Sequence, residues 1–184
     1  MPRVYKRTAL KDYPESGIQR GDVYYWWKRY QSPAQRQLSY PRRSQLTNSV
    51  FLQTVYDLED KAWGNTFEEL QSQVDDAISD LQDLLYDTQD SLSVIEDTFP
   101  NSSSRELVEE RVEKLEEWIG ALEGIDIPDE EEFLAENDPE IDLGPIEDYD
   151  SDEWEEAHSE WCLGKLAEEI EDLHSQLKDS SPGF

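Results

Sequence analysis

Apolar residues in the middle of this chain recur every three to four positions. From Phe67 the series Leu70, Val74, Ala77, Leu81 and Leu84 steps in that way, and Ile78, Leu85 and Leu92 broaden the stripe. The spacing predicts one amphipathic helix running to about Asp97. Thr66 followed by Glu69 makes a capping box at its start, and Phe99-Pro100-Asn101 breaks it. The period resumes with Val108, Val112, Leu115, Ile119 and Leu122, behind a second box at Ser103 and Glu106 and ahead of Gly124. Two long amphipathic helices joined by a short Pro-Asn-Ser turn predict an antiparallel, coiled-coil-like helical hairpin. Leu46, Val50, Phe51, Val55 and Leu58 predict a preceding helix from Ser44 to Trp63, ended by Gly64-Asn65. Trp154, Trp161, Leu166, Ile170, Leu173 and Leu177 predict a last helix from about Ser151 to Lys178, its aromatic start docking on the hairpin.

The first 43 residues follow a different rule. Val4 to Leu10 and Val23 to Arg29 read as short strands, joined by a loop holding Pro14, Gly17 and Gly21. The expectation is a small β-hairpin that leans on the next helix, since two strands alone bury too little. Alternation places Tyr24 and Trp26 on one face and Tyr25 and Trp27 on the other, so one pair packs while the other stays available. The predicted fold is mainly α, in four segments. They are a basic aromatic β module (1–43), a helical body with the long hairpin (44–124), an acidic linker (125–150) and a C-terminal helix (151–184). The linker assignment rests on twelve acids, no bases and three prolines in residues 125–150.

Charge sharpens that division. Residues 1–47 hold ten of the sixteen Lys and Arg with three acids, about +7, and the remainder holds 42 acids against six bases, about −36. The basic end suits phosphates, whereas the acidic body repels them and attracts proteins that bind phosphates. A solvated helix ordinarily mixes signs, because Glu–Lys pairs four apart are stabilising. Here no Lys or Arg lies between Lys61 and Arg105, or between Lys114 and Lys165. Asp76, Asp80, Asp83, Asp87, Asp90 and Asp97 form a row along the first hairpin helix, spanning roughly 30 Å at 1.5 Å per residue. Glu106, Glu109, Glu113, Glu116 and Glu123 make a similar row on the second, with Glu110 and Glu117 beside it. Such rows can imitate phosphate strands and enter a Lys/Arg groove, with counterion release as the gain. The plainer alternative is a solvated face that maintains solubility.

In the basic module, Lys6, Arg7, Lys28, Arg29, Arg42 and Arg43 interleave with Tyr24, Trp26 and Trp27. Aromatic faces that stack bases beside cations that track a backbone are the chemistry of single-strand binding. The same aromatics can instead be the core of a small β module, with the cations covering them. A third reading has the module packed on the acidic body of its own chain or of a second copy.

Other chemistry is thin. His158 and His174 are sixteen apart on one predicted helix, too far to share a metal, and both read as surface residues. Cys162, the only cysteine, reads as a packed thiol with no basic neighbour nearer than Lys165, and it excludes an internal disulfide. There is no Asp-x-Asp-x-Asp-Gly loop, no phosphate-cradling Gly loop and no Gly-x-Ser-x-Gly elbow. We therefore expect no catalytic residues, no cofactor and no metal. With no apolar run long enough for a span or a signal h-region, we expect no membrane partner and an intracellular location.

Gly21-Asp22-Val23-Tyr24-Tyr25-Trp26-Trp27-Lys28, then Pro41-Arg42-Arg43-Ser44-Gln45-Leu46-Thr47, then Tyr56-Asp57-Leu58-Glu59-Asp60 resemble a family of acidic tailed-bacteriophage proteins with no established activity. Glu110-Arg111-Val112-Glu113-Lys114-Leu115-Glu116-Glu117-Trp118 is similar to theirs too. Where other members carry a Gly- and Lys-rich turn containing Phe, this chain has Tyr30-Gln31-Ser32-Pro33-Ala34-Gln35. The resemblance implies a phage origin and action in the cytoplasm of an infected bacterium. The leading expectation is a non-enzymatic protein that binds and inhibits a host nucleic-acid-binding or defence protein, a nuclease or immune effector, by acidic mimicry of nucleic acid. One alternative is a nucleic-acid-binding accessory protein acting through its basic aromatic module. Another is an assembly protein, a homodimer for instance, oligomerising through the 66–123 hairpin.

Overall fold

The structure, a computed structural model, describes residues 2–137 and 151–184, the latter from residue 154 onward for side chains. It is mainly helical with a small antiparallel sheet at the N-terminal end. Contacts divide it into two units, Met1–Lys61 with Phe184, and Ala62–Gly183.

In the first unit β1 (Tyr5–Thr8), β2 (Val23–Trp27) and β3 (Gln35–Gln37) lie in that order across an antiparallel sheet. Tyr5 faces Trp26, Arg7 faces Tyr24, and on the other side Trp26 faces Arg36. The expected hairpin is thus a three-stranded meander. Its second reversal uses Gln31, held at φ 57°, a left-handed conformation that lets the chain turn back after β2. The β1–β2 connection folds on itself through a Tyr13–Ile18 bridge and a short 3₁₀ turn, Pro14–Ser16, that Gly17 closes at φ 64°.

Both faces of β2 are occupied, so the expectation that one aromatic pair stays available is wrong. On one face Tyr24 is buried with Ala9 and Ile18, and Tyr13 and Trp26 pack against that cluster. On the other, Trp27 is 1% exposed and its indole Nε1 donates to the Gln45 carbonyl at 3.2 Å, while Tyr25 meets Tyr40 edge-on at 5.5 Å. A sheet this small gathers enough apolar contact only by covering both sides.

The helix expected from Ser44 starts later. Ser44–Leu46 is a single 3₁₀ turn, Thr47 is extended, and α1 runs Val50–Glu59. Thr47-Asn48-Ser49 favours caps over helix interior, and the Ser49 hydroxyl accepts from the Leu52 amide. α1 buries Val55, Tyr56 and Leu58, and Phe51 meets the ring of Phe184 edge-on at 5.4 Å.

In the second unit α2 (Phe67–Thr98) and α3 (Ser103–Glu123) form the expected antiparallel hairpin. Glu96 and Arg105, each two residues from its helix end at the turn, are linked, and Gln89 reaches Glu116 farther along, as antiparallel packing requires. Half of the Thr66 box forms, with Thr66 Oγ1 accepting from the Glu69 amide at 3.2 Å, while Glu69 Oε2 accepts not from Thr66 N but from Asn65 N, one residue earlier, at 3.0 Å. The Ser103 box does not. Ser102 is the cap residue, and its own hydroxyl makes no capping bond.

Burial along the hairpin is uneven. The buried positions run from Phe67 to Thr88 on α2 and from Leu115 to Leu122 on α3. Between them Leu92, Ile95, Val108 and Val112 are half-buried and Val94, Phe99 and Leu107 exposed, so this distal part is the less deeply packed one.

The segment expected as a linker contains α4 (Glu130–Glu136), begun by Asp129 Oδ1 accepting from the Glu131 and Glu132 amides. Phe133 meets Phe67 edge-on at 5.5 Å, which gives this acidic helix an apolar anchor. The rest of that expectation, residues 138–150, lies outside the described residues. The last helix, α5 (Ser151–Asp179), is buried at Leu173 and Leu177, while Trp154 and Trp161 are half-buried and stack with His158. Its firmest packing is therefore near its C-terminal end, not at the expected aromatic start. There His174 Nε2 donates to the Gly64 carbonyl at 2.7 Å, and Trp118 Nε1 donates to Ser180 Oγ at 3.1 Å.

Candidate functional site

The second unit presents carboxylates on a rigid helix. With about 100° of turn per residue, Asp76, Asp80, Asp83, Asp87 and Asp90 occupy one sector of α2 about 120° from the stripe Leu70, Val74, Ala77, Leu81 and Leu84. All five are exposed, and no ion pair involves them among the described residues. Asp97 is exposed as well. The row carries one charge per roughly 5 Å of helix axis, against about 3.4 Å for one strand of duplex DNA. It is a sparser polyanion than DNA but of the same order.

α3 is different. Glu106, Glu113 and Glu117 are exposed, but Glu109 pairs with Arg105, Glu110 with Lys114 at 3.2 Å, and Glu116 accepts from Gln89 at 3.4 Å. Arg105 also reaches Glu96 at 3.2 Å and so ties the two helices near the turn. The two rows expected as equals are unequal, one uncompensated and one partly neutralised. The pattern of acids also hid two apolar residues: Val94, 58% exposed, in line with the α2 row, and Tyr86, 73% exposed, at its edge. A helical wheel of every residue type, rather than of Asp and Glu alone, finds both.

The basic module is mostly spent on its own fold. Tyr24 and Trp27 are buried. Trp26 is half-buried, with Tyr5 stacked on it at 4.7 Å and the Arg7 guanidinium 5.6 Å from its ring. Neither Trp26 nor Trp27 therefore offers the open face that base stacking needs. Arg43 joins Glu59 at 2.9 Å and Asp60 at 2.7 Å and lies 4.8 Å from the Tyr56 ring. The Asp60 hydrogen bond is the main reason its pKa is raised, burial opposing it. Arg29 donates to the Thr47 carbonyl at 2.8 Å. Lys6 sits 6.0 Å from the Tyr25 ring, and Lys28 and Arg42 are exposed. Of the nine residues assigned to nucleic acid, Tyr24, Trp27 and Arg43 hold the module together.

Cys162 has a basic neighbour that sequence analysis passed over, His158, with Sγ 3.8 Å from Nε2 one helical turn away. Neither histidine is the surface residue expected; both are half-buried. Among the described residues no three His, Cys, Asp or Glu side chains converge as a metal site requires, and no helix is long and apolar enough to cross a membrane. No protein-family model, curated protein or solved structure matches the chain.

Proposed function

We propose that this chain is a non-enzymatic phage protein that binds a host protein through the α2 carboxylate face and occupies the basic groove where that protein holds nucleic acid. The observation that carries this reading is the row Asp76, Asp80, Asp83, Asp87 and Asp90, exposed and unneutralised on one side of a packed helix. Like charges at three- and four-residue spacing destabilise a helix by a few tenths of a kcal/mol per pair. A face kept only for solubility needs no such regularity. Counterion release on meeting a Lys/Arg groove supplies the driving force, and low-dielectric groove walls strengthen it. The phage origin and the cytoplasm of an infected bacterium as the setting come from the resemblance of the Tyr24–Lys28 and Pro41–Thr47 runs. Inhibition of a nuclease or immune effector follows from displacing its nucleic acid.

Displacement tests it. Labelled duplex or single strand is bound to each of a panel of bacterial nucleases and nucleic-acid-binding effectors, and the chain is titrated in. The expected result is stoichiometric release from at least one of them, weakening steeply from 50 to 200 mM salt. Failure to release nucleic acid from any, or release indifferent to salt, contradicts the reading.

A further inference from the structure

The first unit contains a cleft of about 470 Å³ whose walls include Lys28, Arg29, Tyr30, Thr47, Asn48 and Tyr56 and, among the described residues, no carboxylate. Its volume falls in the range of small-molecule sites. By contrast, a groove of about 670 Å³ in the second unit is lined by Glu68, Asp75, Asp76, Asp129 and Glu130. We propose that the Lys28–Arg29–Tyr30 cleft binds one nucleotide unit of a single-stranded nucleic acid, its phosphate held by Arg29 and Lys28 and its base stacked on Tyr30.

Arg29 is fixed at the cleft by its bond to the Thr47 carbonyl, yet its Nε is buried with no partner. The planar guanidinium fork is the side chain best matched to a phosphate. Lys28, next in the chain, is exposed and in no ion pair among the described residues. In this it differs from Arg43, which two carboxylates neutralise. Tyr30 is 82% exposed, so its ring has the open face that Trp26 and Trp27 lack. α1 adds to the field. Asn48 precedes it and Leu52, in its first turn, lines the cleft. That turn has no acidic residue, whereas the first turns of α2, α3 and α4 all do. A helix start without a carboxylate leaves its positive end to an anion.

The net charge of −29 opposes any polyanion approaching the chain as a whole. At 0.1 M salt that field is screened beyond about 10 Å, so the test is run there, on the full chain. Fluorescence anisotropy follows a labelled ten-residue oligothymidylate, with thymidine monophosphate and inorganic phosphate as competitors. Lys28→Gln and Tyr30→Ala are exposed changes that leave the fold intact. Each is expected to weaken binding by roughly 5-fold or more, the lower end for loss of one stacked base. Lys11→Gln and Arg20→Gln, outside the cleft, are expected to change it less than about 2-fold, and thymidine monophosphate is expected to compete better than phosphate. Equal losses from all four variants mean a diffuse basic surface and overturn the proposal. Competition by phosphate as strong as by the nucleotide leaves a bare anion site and overturns it too, as does an absence of binding at 0.1 M salt. None of these outcomes bears on the α2 face, so the two readings fail separately.

Discussion

Arg43 and Asp83 are both charged residues picked out by pattern, and they have opposite fates. In the first unit Arg43 is clamped by Glu59 and Asp60 over Tyr56 and Arg7 lies against Trp26. Charge there serves folding. A sheet of three short strands has little apolar area, and cationic stems and guanidinium planes supply part of the cover. In the second unit the helical stripe from Phe67 to Thr88 is buried, and Asp76, Asp80, Asp83, Asp87 and Asp90 stand in solvent with no ion pair among the described residues. Charge density alone does not identify an interaction surface; charge that the fold does not consume is the better candidate.

The largest expected effects concern the two cores. Trp27→Ala removes a fully buried indole and its bond to Gln45, a loss of about 3–5 kcal/mol. Hydrogen exchange should show β1 and β2 amides losing protection while α2 amides keep theirs. Loss of protection in both would mean that the two units do not hold separate cores. Leu81→Ala, at a fully buried position of α2, should cost about 2–4 kcal/mol and give the converse pattern, read by the same exchange experiment.

Arg43→Ala comes next. Its ion pairs are half in solvent, so screening keeps them to at most about 1 kcal/mol, with a further ~0.5–1 kcal/mol from the Tyr56 contact. A drop in thermal midpoint with unchanged oligonucleotide binding is the expected outcome, and it separates Arg43 from Lys28. The smallest effect has the opposite sign. Asp80→Asn with Asp87→Asn relieves like-charge repulsion and should leave stability unchanged or raised by a few tenths of a kcal/mol, measured by urea unfolding. Marked destabilisation would show that these carboxylates do structural work.

Much of the second unit was legible because a long stripe of period 3.6 has few other solutions. Thr66, with Glu69 three residues on, marked the start of α2 directly. What escaped was set by tertiary context. Gln35–Gln37 has no β-rich composition and becomes a strand only because β2 offers it an edge. Phe133 turns an acidic stretch into α4 by packing on Phe67. At the candidate sites, the carboxylate row and its four-apart pairs could be read from spacing, but the links between helices could not. The Arg105–Glu109 pair follows from its four-residue spacing, whereas the Arg105 link across to Glu96 on α2 depends on how the two helices pack. Arg42 and Arg43 are neighbours, and which of them is consumed depends on where α1 ends.

The central claim is that the α2 row is the binding face. It is tested most directly by the salt dependence of binding to whichever panel protein the chain displaces from nucleic acid, for the native chain and for a variant with Asp76, Asp80, Asp83, Asp87 and Asp90 all changed to Asn. A plot of log K against log salt should be steep for the native chain, with a slope of about −3 or beyond, and should flatten by about 2 or more in the variant as affinity falls at least 10-fold. Equal slopes and equal affinities would contradict the account.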